Sequence, residues 1–127
     1  MADLIGHRIY NDIPQCSRLE VEAAIERNDP QELAYAVLSA ALHSDDPSWA
    51  SSVCARLAIH PDFNMRGNAL LGLGHLARLH RMLDRHIVQP LIEQAFRDDN
   101  DYVRGHAREA AEDVTQFLGW TTESKTL

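Results

Sequence analysis

The stretch DFNMRGNA at residues 62–69 returns as NDYVRGHA at residues 100–107, with an arginine, a glycine and an alanine in the same places. The register that pairs Asp62 with Asn100 also pairs Leu76 with Val114, so the apolar spacing repeats too. A period of roughly 38 to 40 residues made of two helices is typical of stacked helical repeats. The repeat therefore predicts an all-α fold.

Helix signals recur along the whole chain, whereas strand signals are nearly absent. Asp29-Pro30 and Asp46-Pro47 each combine an acidic N-cap with a proline at the first helical position, where its missing N–H costs nothing. Together with the apolar spacing, such signals predict six helices in three antiparallel pairs. The predicted ranges are 19–27, 30–43, 47–59, 63–80, 84–97 and 101–118. Pro90 is expected either to kink the fifth helix or to mark a later start.

Length and composition limit the kinds of protein that this chain could be. A chain of 127 residues fits one domain, predicted at residues 1–120 with a polar tail at 121–127. Nineteen acidic side chains against twelve Lys and Arg give a net charge of −7, which argues against a general binder of nucleic acid or anionic membranes. Without a secretory signal or membrane span, the sequence predicts a cytoplasmic protein. Cys16 and Cys54 fit no metal spacing and are expected to be reduced thiols, with a disulfide as the alternative.

The repeated stretch also carries a family resemblance. Asp99 to Ala107, with its Val-Arg pair, and the copy at residues 62–69 resemble the second helix of a HEAT-like repeat. The resemblance covers about residues 29–120 and implies a short α-solenoid of about three helical hairpins. Residues 66–75 together with Leu118-Gly119-Trp120 further resemble small bacterial HEAT-like proteins, some of which are immunity proteins against toxins.

The resemblance implies a structural role for the repeated arginine. In a HEAT-like stack this arginine pairs with an aspartate of the adjacent repeat and fixes the angle between repeats. Arg66 and Arg104 are the two candidates here, with Asp62 and Asp99 as acidic partners. The alternative is that these arginines are presented to an anionic ligand.

The predicted fourth helix is apolar around most of its circumference, which indicates neighbours on two sides, whereas the sixth keeps one apolar stripe. Gly72 and Gly74 inside the fourth helix each cost about 1 kcal/mol relative to alanine. Close approach by a neighbouring helix would compensate, and a ligand against the bare backbone is the alternative.

Catalytic patterns are missing from the sequence. HEAT-like di-iron enzymes carry repeated His-Glu dipeptides, and none of the seven histidines here precedes a glutamate. His75, His80 and His86 are five and six residues apart, which does not place them on one helical face. Cys54 lies within a predicted helix, where nothing positive lowers its pKa. We predict no enzymatic activity, no metal and no cofactor.

Two charged surfaces remain as candidates for binding. Glu109, Glu112 and Asp113 project from the predicted last helix and are expected to meet a cationic partner, although solubility alone also explains such acids. The side of the fourth helix with Asn68 and His75 is included in the predicted site. A basic cluster between Arg78 and His86 could contact phosphate, as in HEAT-like DNA glycosylases, or could only complement a helix dipole.

These features favour a non-enzymatic protein-binding module. The specific prediction is an immunity protein that neutralises a basic, nuclease-type toxin, because nuclease active sites are positively charged and attract an acidic inhibitor. One alternative is a HEAT-like enzyme or nucleic-acid-processing protein that uses the Arg78–His86 patch; another is a general assembly adaptor. Trp49 and Trp120 could lie in the core or in an interface, with Trp120 predicted to fold back on the last helix after Gly119.

Overall fold

The computed structural model describes residues 15–122, and every regular element in that range is an α-helix, as the sequence predicts. The elements are α1 (Arg18–Arg27), α2 (Pro30–His43), α3 (Pro47–Leu57), α4 (Phe63–His80), α5 (Arg85–Ala95) and α6 (Asp101–Leu118). None of these helices combines the length and the apolar character that crossing a membrane requires. The tail predicted at 121–127 lies mostly outside the described residues.

Local capping chemistry fixes where each helix begins. Ser17 starts α1 with a capping box that includes Glu20, and the other five helices start at an acidic or amide side chain that accepts a backbone N–H of the first turn. Those five caps are Asp29, Asp46, Asp62, Asp84 and Asn100. Because Asp84 caps α5 in this way, the helix begins at Arg85 and runs through Pro90, so a later start is wrong.

The central element is α4, which contacts α2, α3 and α6. Its buried side chains point to several sides, and the largest of them are Met65, Leu70, Leu73 and Leu76. By contrast, α6 buries one stripe, consisting of Val103, Ala107, Ala110, Ala111 and Val114. These two patterns agree with the sequence prediction for the fourth and sixth helices, and they place the core around α4.

Two glycines let neighbouring helices approach α4 closely. A Cβ atom at Gly72 would lie 2.8 Å from Cys54 Sγ of α3 and 3.3 Å from Ala41 Cβ of α2. On the other side, a Cβ at Gly74 would lie 2.5 Å from Asp113 Oδ2 and 3.7 Å from Ala110 Cα of α6. Close packing of the neighbouring helices therefore compensates for the low helix propensity of the two glycines. Of the two explanations given by the sequence analysis, this is close approach by a helix and not a bound ligand.

Both tryptophans belong to the core. Trp49 donates its indole N–H to Glu22 Oε2 of α1 at 3.0 Å. Gly119 ends α6 in the left-handed conformation with φ 71°, and the N–H of Trp120 then returns to Val114 O at 3.2 Å. Neither Cys16 nor Cys54 forms a disulfide within residues 15–122, and burial raises the pKa of Cys54 to about 12.

Candidate partner-binding surface

The predicted pairing arginines have different surroundings. Arg66 of α4 reaches the turn before α6, where its Nε lies 2.8 Å from Asp98 Oδ2 and its Nη2 lies 3.0 Å from Asp98 Oδ1. Both side chains are mostly buried, at 19% and 14% exposure. The pair holds the pKa of Asp98 below its usual value, with the Arg66 hydrogen bonds as the main cause. Arg66 thus joins parts of the chain that are 32 residues apart.

The acidic partners predicted for this arginine are not the ones it uses. Asp62 caps α4 instead, accepting the N–H of Asn64 at 2.7 Å, and Asp99 is exposed. The partner is Asp98 because its carboxylate also accepts the N–H of Asn100 at 3.0 Å, which holds it against the turn. Local turn geometry therefore selects one acid from the run at residues 98–101.

Arg104 differs from Arg66 although the sequence repeat makes them equivalent. Its guanidinium donates to Asp98 O at 2.5 Å and pairs with Asp101 in the first turn of its own helix. Within residues 15–122 it does not join one helix pair to the next, which corrects the role predicted for it. The reason is that both acceptors lie within six residues of Arg104 itself.

The repeat is nevertheless visible in the contacts. Arg66 Nη1 donates to the carbonyl oxygen of His60, just as Arg104 Nη1 donates to that of Asp98, and the two acceptors are equivalent in the register of the sequence repeat. The N–H of Asp62 donates to His60 Nδ1 at 2.9 Å, matching the bond from Asn100 to Asp98. We call His60 and Asp98 the junction residues.

Each junction residue also reaches back along the chain. His60 Nε2 lies 2.7 Å from the side-chain oxygen of Asn28, and Asp98 binds Arg66; both contacts span 32 residues. Because Nδ1 of His60 accepts a backbone N–H, Nε2 carries the proton and donates to Asn28. In each of the two turns, a single side chain, His60 or Asp98, accepts a backbone N–H of the turn and also binds a side chain earlier in the sequence.

A second cluster lies where α4 packs beside α6, and we call it the α4–α6 surface. Its residues are Asn68 and Arg78 of α4 with Tyr102, His106, Glu109 and Asp113 of α6. It contains three of the five residues predicted to bind a partner and lies over a fourth, His75. The fifth, Glu112, is exposed on α6 next to it.

Tyr102 occupies the end of this surface near the start of both helices. Its hydroxyl donates to Asn68 Oδ1 at 2.7 Å, and its ring meets that of His106 edge-on with centroids 4.5 Å apart. The ring lies directly on the backbone at Gly67, where a Cβ atom would collide with it. The glycine therefore makes room for the tyrosine, which stays 38% exposed.

The predicted acids of α6 divide into two groups. Glu109 and Glu112 are exposed, and Glu109 Oε1 lies 2.8 Å from His106 Nδ1. Asp113 is half-buried, because Gly74 leaves a space that its carboxylate enters. Burial raises the pKa of Asp113, Arg78 opposes that shift, and Glu109 and Glu112 add to it. Asp113 therefore does not project into solvent as the sequence predicted.

His75 is a clear correction to the predicted site. Its side chain is only 3% exposed, because α4 is covered on several sides, so His75 cannot offer its ring to a partner. Arg78 Nη2 lies 2.5 Å from His75 Nδ1. Burial, followed by the positive charges of Arg78 and His106, lowers the pKa of His75 to about 4, and the ring is therefore neutral at pH 7.

Two residues of the basic cluster between Arg78 and His86 cover aromatic rings at the end of α6. The guanidinium of Arg81 lies 5.3 Å from the ring centroid of Phe117, and that of Arg85 lies 5.6 Å from the ring of Trp120. Arg85 also reaches Thr121 O at 3.4 Å. Arg81, at the end of α4, and Arg85, at the start of α5, thus pack on the end of α6. Within residues 15–122, no group of three His, Cys, Asp or Glu side chains is placed to hold a metal ion.

Sequence reasoning missed Tyr102 and His106, since it considered only the acids of α6. The signal was present: an aromatic pair at i and i+4, followed by a glutamate three residues after the histidine.

We find no protein-family model, no curated protein and no solved structure that matches this chain.

Proposed function

We propose that the chain is a HEAT-like α-solenoid of three helical hairpins that acts as a non-enzymatic protein-binding module. The repeated contacts of the junction residues His60 and Asp98 support a stacked repeat, since equivalent atoms form equivalent bonds in the register of the sequence repeat. The contacts between α1 and α2, α3 and α4, and α5 and α6 fit three hairpins. Stacked repeats present extended surfaces to partners.

The proposed partner is a cationic toxin, and the chain is its cytoplasmic immunity protein. The observation that carries this proposal is the exposure of Glu109 and Glu112 beside the α4–α6 surface of a chain with net charge −7. A nuclease has a basic active site because it binds phosphate, so an acidic surface both attracts it and competes with its substrate. The nucleic-acid alternative has less support, since Arg81 and Arg85 pack on aromatic rings.

The test uses the product of the gene next to this one as the candidate toxin. Its association rate is measured against ionic strength with the wild-type chain and with Glu109→Lys/Glu112→Lys. We expect slower association and a weaker dependence on salt, because exposed charges at an interface act mainly through long-range attraction. The melting temperature should change little, as both side chains are exposed.

A matched control separates this surface from overall charge. Glu26→Lys/Asp45→Lys changes the net charge by the same amount at two exposed positions on α1 and in the turn after α2. The control should keep most of the wild-type rate. Equal slowing by both double variants would show that only net charge matters, and a toxin that does not bind the wild-type chain would refute the proposal.

A further inference from the structure

The ring of Tyr102 is an exposed aromatic side chain whose position is already fixed. Its hydroxyl is bound to Asn68, and its ring atoms Cδ2 and Cε2 lie against Gly67. The ring also forms T-shaped pairs with Phe63 and His106, whose centroids are 6.1 Å and 4.5 Å away. A ring held in this way loses little conformational freedom when a partner binds, so more of the contact energy remains as affinity. Exposed tyrosines with such support are common centres of binding energy.

The acids around this ring give it a negative environment. Glu109 is exposed at 62% of its side-chain area, one step beyond His106 on the same side of α6. Asp99 is exposed at the other end of the tyrosine, before the start of the helix. A partner group that contacts Tyr102 therefore approaches between carboxylates on two sides.

Two of the nearby cations are already engaged in ion pairs. Arg66 and Arg104 are paired with Asp98 and Asp101. Arg78, further along α4, lies against His75. The charges of Arg66 and Arg104 are thus offset locally, and the charge of Arg78 acts on Asp113. Glu109 binds His106 Nδ1 through Oε1, and its carboxylate stays exposed enough to attract a cation.

We infer that Tyr102 is the docking point for an arginine side chain of the partner, stacked on the tyrosine ring with its guanidinium directed to Glu109. This rests on the proposed function, since it names the side chain by which a cationic partner would use the α4–α6 surface. Arginine fits better than lysine, because its planar guanidinium stacks on aromatic faces, is weakly hydrated and binds carboxylates at two points.

The test uses two simple peptides, nine arginines and nine lysines, which carry equal charge. Binding of each to the full chain is followed by NMR titration at fixed ionic strength. We expect the arginine peptide to bind roughly two- to fivefold more tightly, which is the gain in affinity that one exposed cation–π contact provides. Its largest shifts should fall on Tyr102, His106 and Glu109.

Variants then assign the preference to one ring. Tyr102→Leu keeps an apolar side chain on Gly67 but removes the aromatic face, so the arginine and lysine peptides should bind about equally. Tyr102→Phe should retain the preference for arginine. Tyr35→Leu is the matched control, because Tyr35 is an exposed tyrosine on α2, and it should behave as the wild type.

Equal affinity for both peptides in the wild type, or an arginine preference that survives in Tyr102→Leu, would overturn the inference. These peptides do not involve the toxin. If the arginine preference depends on Tyr102 but the toxin does not bind, the proposed function alone fails. If the toxin binds with the expected salt dependence and Tyr102→Leu leaves the arginine preference unchanged, only the tyrosine assignment fails.

Discussion

Arg66 and Asp98 form a two-point ion pair between α4 and the turn that precedes α6, with Nε–Oδ2 and Nη2–Oδ1 distances of 2.8 Å and 3.0 Å. The same carboxylate accepts the N–H of Asn100, and the same guanidinium donates to the carbonyl oxygens of His60 and Pro61. Besides forming an ion pair, the two side chains therefore connect the turn before α4 with the turn before α6. The strength of this pair should be visible in the stability of the whole domain.

Replacing Arg66 should cost more than replacing Arg104. Arg66→Ala leaves the mostly buried Asp98 without its main partner, and we expect a loss of about 2–3 kcal/mol in the free energy of unfolding. Arg104→Ala breaks a pair with the exposed Asp101 and should cost less than about 1 kcal/mol. Urea unfolding at pH 7 measures both. Equal losses would mean that the Arg66 pair has no special role between helix pairs.

His75 should make the domain less stable in mild acid. Its folded pKa of about 4 lies below the unfolded value of about 6.5, so between these pH values the unfolded chain binds a proton that the folded chain does not. Stability contributed by the neutral ring is therefore present above pH 6.5 and is lost as the pH falls towards 4, by about 3 kcal/mol.

The measurement is the free energy of unfolding of wild type and His75→Gln across this pH range. The variant should show a shallower decline. His86→Gln, which removes an exposed imidazole, serves as control. If wild type and His75→Gln decline in parallel, His75 does not titrate as its burial predicts.

The same substitution should have opposite effects at two glycines. Gly72→Ala places a methyl group against Cys54 and Ala41, and overpacking of about 1–3 kcal/mol should outweigh a helix-propensity gain of about 1 kcal/mol. Gly105 lies inside α6 with nothing within 4 Å of an added Cβ, so Gly105→Ala should gain about 1 kcal/mol. Thermal unfolding of the two variants checks the signs. Stabilisation by both would show that the contact at Gly72 relaxes easily.

Cys54 should resist alkylation in the folded protein. Its thiol is fully buried, and burial raises its pKa to about 12, so very little reactive thiolate forms at pH 8. With iodoacetamide at pH 8, mass spectrometry should detect modification of Cys54 at the rate of unfolding, and rapid modification once urea is added. Fast labelling under native conditions would contradict the packing of α3 against α4.

Helix starts could be predicted because they are set by neighbouring residues. Asp29-Pro30 and Asp46-Pro47 begin helices through contacts within one turn. The predicted helix ends are less accurate: α3 ends at Leu57 and α5 at Ala95, each two residues before the predicted end. Capping residues alone do not determine those positions, since the chain must turn to reach the next helix.

The candidate surface was harder to predict because its contacts are distant in sequence. Tyr102 depends on Gly67 and Asn68, more than thirty residues earlier. Asp113 is drawn inward by Gly74, and a sequence pattern that counts only charges does not show this. Likewise, several acids in the run at residues 98–101 could meet Arg66, and only the backbone of the turn selects Asp98.

The position of the Arg66–Asp98 pair has a consequence for how the length of such a chain can change. Arg66 and Asp98 both lie within residues 62–99, and Asp62 and Asn100 occupy matching places in successive copies of the repeat. A second copy of residues 62–99 inserted after Asp99 would carry its own arginine and its own aspartate at the required separation of 32 residues. Duplication of this segment, by evolution or by design, would thus extend the molecule by whole repeat units that are joined by the same Arg–Asp ion pair.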